Sequence, residues 1–290
     1  MNKYLRLLRI QQWYKNLVIF LAVFFTNNLS NTGLLIRTIF GFIALCLVSS
    51  SYYILNDIWD VEEDKRHPEK KNRPIASGEI EKGTALFISA LLLILSLLIS
   101  YNLSLKFAVF PIVLFLLSIA YNVRLKDVAI IDVHMIALNF LLKAISGAVL
   151  IEVPASSWLV ITIFFMALLL GVSKRLADMQ LLGEDVIKHK KVYRIYNRKL
   201  LEMLIVVISA ILLFAYGLYS FIVHGSLYAV TTLPFASFMT FRYLYFVSIN
   251  HEAARKTQLI FKDKQMLIAF ILWIITSYIV MNVESLVFLK

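Results

Sequence analysis

Long apolar stretches recur along the chain, separated by short polar connections, and most are too evenly apolar to be the amphipathic faces of a soluble fold. Runs at 38–55, 83–105, 107–120, 144–170, 203–223, 226–241 and 266–281 reach or approach the length a helix needs to cross a bilayer. Two less uniform candidates lie at 14–30 and 128–150. The pattern predicts an all-α polytopic membrane protein with about nine transmembrane helices. No Pro/Ser/Gly-rich linker, internal repeat or low-complexity segment divides it, so residues 1–290 read as a single transmembrane domain.

Composition strengthens this reading. Hydrophobic residues make up 60% of the chain and charged residues 16%, against about 25% charged in a typical soluble domain. Mean hydropathy is +0.80. The first apolar run follows basic residues and imitates a signal peptide, but without an A-x-A-like cleavage site it reads as a retained helix. Cys46 stands alone in an apolar run, which excludes a disulfide framework and predicts a small buried side chain. The five histidines show no ligand spacing, and no Gly-rich phosphate loop or dinucleotide fingerprint is present.

Charge orients the bundle. Lys and Arg crowd the N-terminus and the loops at about 57–82, 122–127, 174–199 and 250–264, while the alternate connections are nearly free of them. The positive-inside rule therefore predicts a cell-membrane protein with its N-terminus and basic loops in the cytoplasm. The net charge of +11 reads as a collar at the membrane surface, not as a nucleic-acid-binding face.

One stretch on that face carries chemistry. N-D-I-W-D-V-E-E-D at 56–64 sets Asn56, Asp57, Asp60 and Asp64 at helical spacing where an apolar run ends. Steps of three and four residues keep these oxygens on one broad helix face. Carboxylate and amide oxygens suit Mg²⁺, which commonly bridges to substrate phosphates. Lys65, Arg66, Lys70, Lys71 and Arg73 follow at once and can hold phosphate oxygens. Together these features indicate a diphosphate-using enzyme with a lipid as second substrate.

Three smaller polar groups share the face. Q-Q-W-Y-K-N at 11–16 places Gln12 and Lys15 one turn apart, and serves equally as an interfacial anchor. Y-N-V-R-L-K-D at 121–127 offers Tyr121 and Lys126, and beyond it Asp132 and Lys143 stand in an otherwise apolar helix. Ionisable groups at such depth face a cavity or a partner. S-K-R-L-A-D at 173–178 brings Lys174, Arg175 and Asp178, with Glu184 and Asp185 shortly after, and Lys174 and Asp178 stand at ion-pair spacing.

N-D-x-x-D-x-x-x-D at 56–64, with Y-x-x-x-x-K at 121–126, resembles the UbiA superfamily of membrane prenyltransferases. Q-W-Y-K-N at 12–16, D-K-R-H-P-E-K-K-N-R-P-I-A-S-G at 64–78, L-K-D at 125–127, K-A-I-S-G-A at 143–148 and K-R-L-A-D at 174–178 are similar to its decaprenyl-phosphate phosphoribosyltransferase branch. R-Y at 242–243 and K-D-K at 262–264 resemble that branch's closing elements, while 250–258 lacks the Gly/Pro-rich turn expected there.

The resemblance implies a helical bundle around a central cavity open to the cytoplasmic side. It implies Mg²⁺ held by Asn56, Asp57, Asp60 and Asp64, with the three aspartates as the catalytic group. The second D-x-x-x-D of most superfamily members is missing, and Lys174, Arg175 and Asp178 stand in its region. Fixed cations there fit a donor with more phosphate to hold, such as phosphoribosyl diphosphate. Arg66, Lys71, Arg73, Lys174 and Arg175 would then hold its phosphates. Lys15, Lys126 and Lys143 would receive the phosphate of a polyprenyl phosphate, with Asp132 orienting a ribose hydroxyl or Lys143. The alternative is a conventional prenyltransferase moving a prenyl group from a prenyl diphosphate to an aromatic or lipid acceptor. A transporter would explain the spans but not the aspartate cluster on one face.

Overall fold

The computed structural model describes residues 2–66, 69–183 and 191–287. His67, Pro68, Glu184 and Asp185 lie outside the described residues. The long helices are α1 (Thr32–Trp59), α2 (Lys82–Leu103), α3 (Leu105–Val123), α4 (Ile131–Leu150), α5 (Ser157–Leu182), α6 (Arg198–His224), α7 (Ser226–Ser248) and α8 (Lys264–Val287). No strand occurs among the described residues. Seven of the helices, α1 to α6 and α8, are long and apolar enough to cross a membrane. α7 is long but carries Thr231, Thr232, Ser237, Thr240 and Arg242, and is not among the seven.

Two sequence expectations change in detail. The overlapping apolar runs at 128–150 and 144–170 resolve into α4 and α5, separated at 151–156 around Pro154. The run at 14–30 is not one α-helix but a 3₁₀ stretch, Ile10–Phe20, followed by a short α-helix, Leu21–Phe25. So long a 3₁₀ stretch is unusual, and tertiary contacts accompany it. Trp13 Nε1 donates to Ser50 Oγ at 3.0 Å, and Asn16, buried, bonds both Cys46 Sγ and Ser49 Oγ at 3.2 Å. Cys46 is fully buried, as its apolar setting predicts.

The chain divides into two compact units, residues 1–135 with 139–154 and residues 136–138 with 155–290. In the first, α1 packs against α2, α3 and the 3₁₀ stretch. Asn31 caps α1 by accepting from the Leu34 N–H at 3.2 Å. Small polar residues then hold α1 to α2. Ser51 Oγ donates to the Ser89 carbonyl at 2.8 Å, and Ser89 Oγ donates to the Ser51 carbonyl at 2.9 Å. Ser96 Oγ reaches the Ala44 carbonyl at 2.7 Å. Lipid tails give apolar faces no net drive to associate, so such bonds and close packing carry helix contact. Ser51→Ala is expected to lower stability by about 0.6–1.7 kcal/mol, read from unfolding in detergent and SDS mixtures. In the second unit α6 packs against α5 and α7, and α7 against α8.

Candidate active site

The end of α1 builds the acid group. Asp57 lies in its last turns, and Asp60 closes the helix with its N–H on the Asn56 carbonyl at 2.9 Å. A short helix, Val61–Arg66, restarts at once and carries Asp64, whose N–H reaches the Asp60 carbonyl at 2.8 Å. The basic loop then turns back. Pro74 disfavours helical backbone at the residue before it, and Arg73 is extended at φ −66°, ψ 143°. Gly78 closes the turn at φ +81°, a conformation that costs glycine little. Ile75, Ala76 and Ile80 anchor this loop in an apolar cluster with Leu7, Ile54, Val61, Ala85 and Leu92.

That anchoring delivers Arg73 to the acids. Its Nη1 lies 2.8 Å from Asp57 Oδ1 and 2.6 Å from Asp64 Oδ2, bridging two carboxylates that are 2% and 1% exposed. Arg9 also bonds Asp57 Oδ1. Lys70 Nζ stands 3.8 Å from Asp64 Oδ1. Lys126, on the 3₁₀ turn Leu125–Asp127 between α3 and α4, donates to Asp60 Oδ1 at 2.6 Å. Burial pushes the Asp64 carboxyl above its ordinary range, despite Arg73 and Lys70 pulling the other way. Burial disfavours the Lys126 ammonium, but Asp60, with Glu63 and Asp127, outweighs it and holds the pKa above the ordinary lysine value.

The oxygens left over fit a hard cation. Asp57 Oδ2 and Asp60 Oδ2 accept no hydrogen bond from any described residue, and Asn56 Oδ1 and Asp64 Oδ1 are buried without a hydrogen-bond partner. Asp57 and Asp60 thus spend one oxygen on cations and keep the other, while Asp64 holds Arg73 on Oδ2 and has Lys70 3.8 Å from Oδ1. Buried acceptors of this kind are costly unless something occupies them. Among the described residues no three carboxylates converge as a ready-made cage. Mg²⁺ does not require one, since it is usually held by one or two carboxylates with waters and substrate phosphates.

The other residues singled out in the sequence are distributed as follows. Gln12 and Lys15 bond each other at 2.6 Å. Arg66 and Lys71 are exposed on the loop, and Tyr121 is half-buried near the end of α3. Asp132 is wholly buried in the first turn of α4. Lys143, also buried, has its Nζ 3.4 Å from the Tyr52 hydroxyl and 5.8 Å from the Phe140 ring centroid.

In the second unit Asp178 takes Arg255 Nε on Oδ1 and the Tyr193 hydroxyl on Oδ2, both at 3.1 Å. Arg175, 4% exposed, stands 5.9 Å from the Tyr193 ring centroid, and Lys174 is exposed. Burial raises the Tyr193 pKa. Arg255 comes from a short helix, Glu252–Arg255, in the segment that lacks the expected Gly/Pro-rich turn. Arg242 and Asp263, from the two closing motifs, form a bidentate pair at 3.3 and 2.8 Å. That pair depresses the Asp263 pKa, and Asp263 also caps α8 through the Met266 N–H.

Sequence reasoning missed Arg9, Arg255, Tyr193 and Tyr52 as members of these groups. Arg9 stood out only as one of several N-terminal basic residues. No spacing rule connects residues 9 and 57.

The family model described as "UbiA prenyltransferase family" matches residues 16–280. The chain belongs to that family. The decaprenyl-phosphate phosphoribosyltransferase of Mycolicibacterium smegmatis is 30% identical to it over 287 residues, covering 93% of this chain and 89% of that protein. The protein of the same name from Mycobacterium tuberculosis H37Rv is 27% identical over 79% of this chain and 78% of its own length. The fold matches a UbiA homolog from Archaeoglobus fulgidus bound to DMAPP and Mg²⁺, with a TM-score of 0.75 at 20% identity, over 97% of this chain and 100% of that one. As a UbiA-family member with seven apolar helices, the protein is a multi-pass membrane transferase.

Proposed function

We propose that this UbiA-family enzyme transfers 5-phosphoribose from phosphoribosyl diphosphate to a polyprenyl phosphate at the cytoplasmic face of the cell membrane. The observation that carries this reading is the acid group, in which Asp57 and Asp60 each place one oxygen on a cation and leave one over, in a chain 30% identical to a decaprenyl-phosphate phosphoribosyltransferase. Asn56, Asp57, Asp60 and Asp64 are the residues that would hold Mg²⁺. When bound, the ion neutralises charge on the leaving diphosphate.

Arg73 and Lys126 then stand beside the diphosphate, and Arg66 and Lys71 extend the positive surface of the same loop. An oxygen of the lipid phosphate forms a bond to ribose C1 as the bond from C1 to the diphosphate oxygen breaks, and pyrophosphate leaves with the electron pair. Lys15 and Lys143, with Tyr121 and Asp132 near the end of α3 and the start of α4, are the groups of this unit that would orient the acceptor. A phosphate monoester is already nucleophilic near neutral pH, so positioning and electrostatics are the main catalytic terms. In the second unit Lys174, Arg175 and Arg255, the last held by Asp178, are the cations that would take phosphate.

The test is a donor comparison on purified protein in detergent with Mg²⁺. Labelled phosphoribosyl diphosphate and labelled prenyl diphosphate are offered separately, each with polyprenyl phosphate and with an aromatic acceptor. Lipid-extractable label from the ribosyl donor alone, lost in Asp60→Ala, is the expected result. Transfer from the prenyl donor alone would assign the enzyme to conventional prenyl transfer instead.

A further inference from the structure

The N-terminal segment is built into the acid site. The helix Lys3–Leu7 is tied to the basic loop, with Arg6 Nη1 donating to the Asn72 carbonyl at 3.3 Å and Arg6 also bonding Glu79. Leu7 is buried in the cluster that anchors Ile75 and Ile80. Arg9 follows in left-handed backbone, φ 49°, ψ 44°, between that helix and the 3₁₀ stretch. A non-glycine residue there is strained, and such strain persists only where surroundings enforce it. Here the kink aims the guanidinium at Asp57 Oδ1 and sets it 5.0 Å from the Tyr53 ring centroid.

Two observations separate Arg9 from a structural ion pair. It shares Asp57 Oδ1 with Arg73, which already holds that oxygen at 2.8 Å, so Asp57 does not depend on it for charge compensation. A guanidinium has five N–H donors, and those of Arg9 not aimed at Asp57 meet no partner among the described residues, although the side chain is only 15% exposed. No nitrogen of Arg9 is among the buried polar atoms left without a partner, so its unspent donors are open to a ligand, and beside an acid that keeps an oxygen for a metal they suit an anion.

Resting on the reading of this site as a metal–diphosphate site, we infer that Arg9 is a further donor-binding residue whose guanidinium takes a diphosphate oxygen while Asp57 holds it in place. The role requires the kink, since a straight helical path would carry the side chain elsewhere.

The test is binding, not turnover, with Mn²⁺ and inorganic pyrophosphate as probes on the full-length protein in detergent. Arg9→Gln is expected to weaken pyrophosphate binding in the presence of Mn²⁺ by roughly 10- to 100-fold, the worth of a charge-assisted hydrogen bond. Mn²⁺ binding without pyrophosphate should be unchanged or tighter, because a cation beside Asp57 has gone. Arg9→Lys keeps charge but not the planar fork, and should fall between wild type and Gln. It carries the test alone if Arg9→Gln does not fold. Pyrophosphate affinity equal to wild type in the variants, or a matching loss of both ligands, would overturn the assignment, since a structural role moves both together. Wild-type protein that fails to bind pyrophosphate with Mn²⁺ would overturn the site reading itself, and this inference with it. Competition by phosphoribosyl diphosphate and by a prenyl diphosphate completes the experiment. Displacement by either supports the assignment, and the one that displaces identifies the donor.

Discussion

Arg73→Ala is expected to remove turnover by at least about 10²–10³-fold, the scale of losing one preorganised electrostatic group from an active site. The reason is its position. One nitrogen, Nη1, lies within 2.8 Å of both Asp57 and Asp64, and neither acid has meaningful access to solvent. Without Arg73 two buried carboxylates face each other with only Arg9 on Asp57 and the more distant Lys70 on Asp64. Breaking such a pair from one side costs about 3–5 kcal/mol, because the partner charge stays buried. The end of α1 should therefore loosen as well as lose function. Arg73→Lys separates the two effects. An ammonium keeps the charge but cannot reproduce the geometry of the fork, so most of the stability should return and only part of the activity. Turnover and thermal unfolding in detergent, measured on both variants, decide it. An Arg73→Ala enzyme with near wild-type turnover would remove Arg73 from the site.

The second large effect lies within the membrane spans. Gly147 on α4 packs so closely on the 3₁₀ stretch that a Cβ there would collide with the Ile19 carbonyl oxygen and stand 3.0 Å from its carbon. The obstacle is backbone, with no rotamer to move aside. Gly147→Ala is expected to cost about 3 kcal/mol or more, at the upper end of overpacking substitutions. Gly41 on α1 is the internal control. Its added Cβ would meet side-chain ends, Leu150 Cδ2 at 2.5 Å, Ile19 Cδ1 at 3.1 Å and Phe107 Cζ at 3.3 Å, which can shift. Gly41→Ala should cost about 1–2 kcal/mol, toward the milder end of the same range. Equal losses in the two variants, read from unfolding in detergent and SDS mixtures, would mean that the close approach at Gly147 is not what holds α4 to the 3₁₀ stretch.

These residues also mark how far the chain could be read without its structure. Helices α1 to α6 and α8 coincide with apolar runs, because a bilayer requires each spanning segment to satisfy its own backbone, and that demand is local. The place of Asn56, Asp57, Asp60 and Asp64, at the end of α1 and on the short helix after it, was legible for the same reason, but among the described residues no three carboxylates converge, which spacing alone did not tell. Arg73 was legible as a basic residue of the right loop, but not as the one that bridges two acids. Lys126 was legible as the basic residue of Y-x-x-x-x-K, but not as the partner of Asp60.

By itself the sequence determined the helical membrane class, the family motifs and the helix end that carries the acids, all of which follow from short-range periodicity and bulk apolarity. Tertiary structure alone decided which cation meets which acid: Arg9 with Asp57 across 48 residues, Lys126 with Asp60 across 66, and Arg255 with Asp178 across 77. It also decided the left-handed turn at Arg9, the 3₁₀ course of residues 10–20 and the bare contact at Gly147. Those features depend on how distant segments pack, and packing is not written in the spacing of neighbours along one helix.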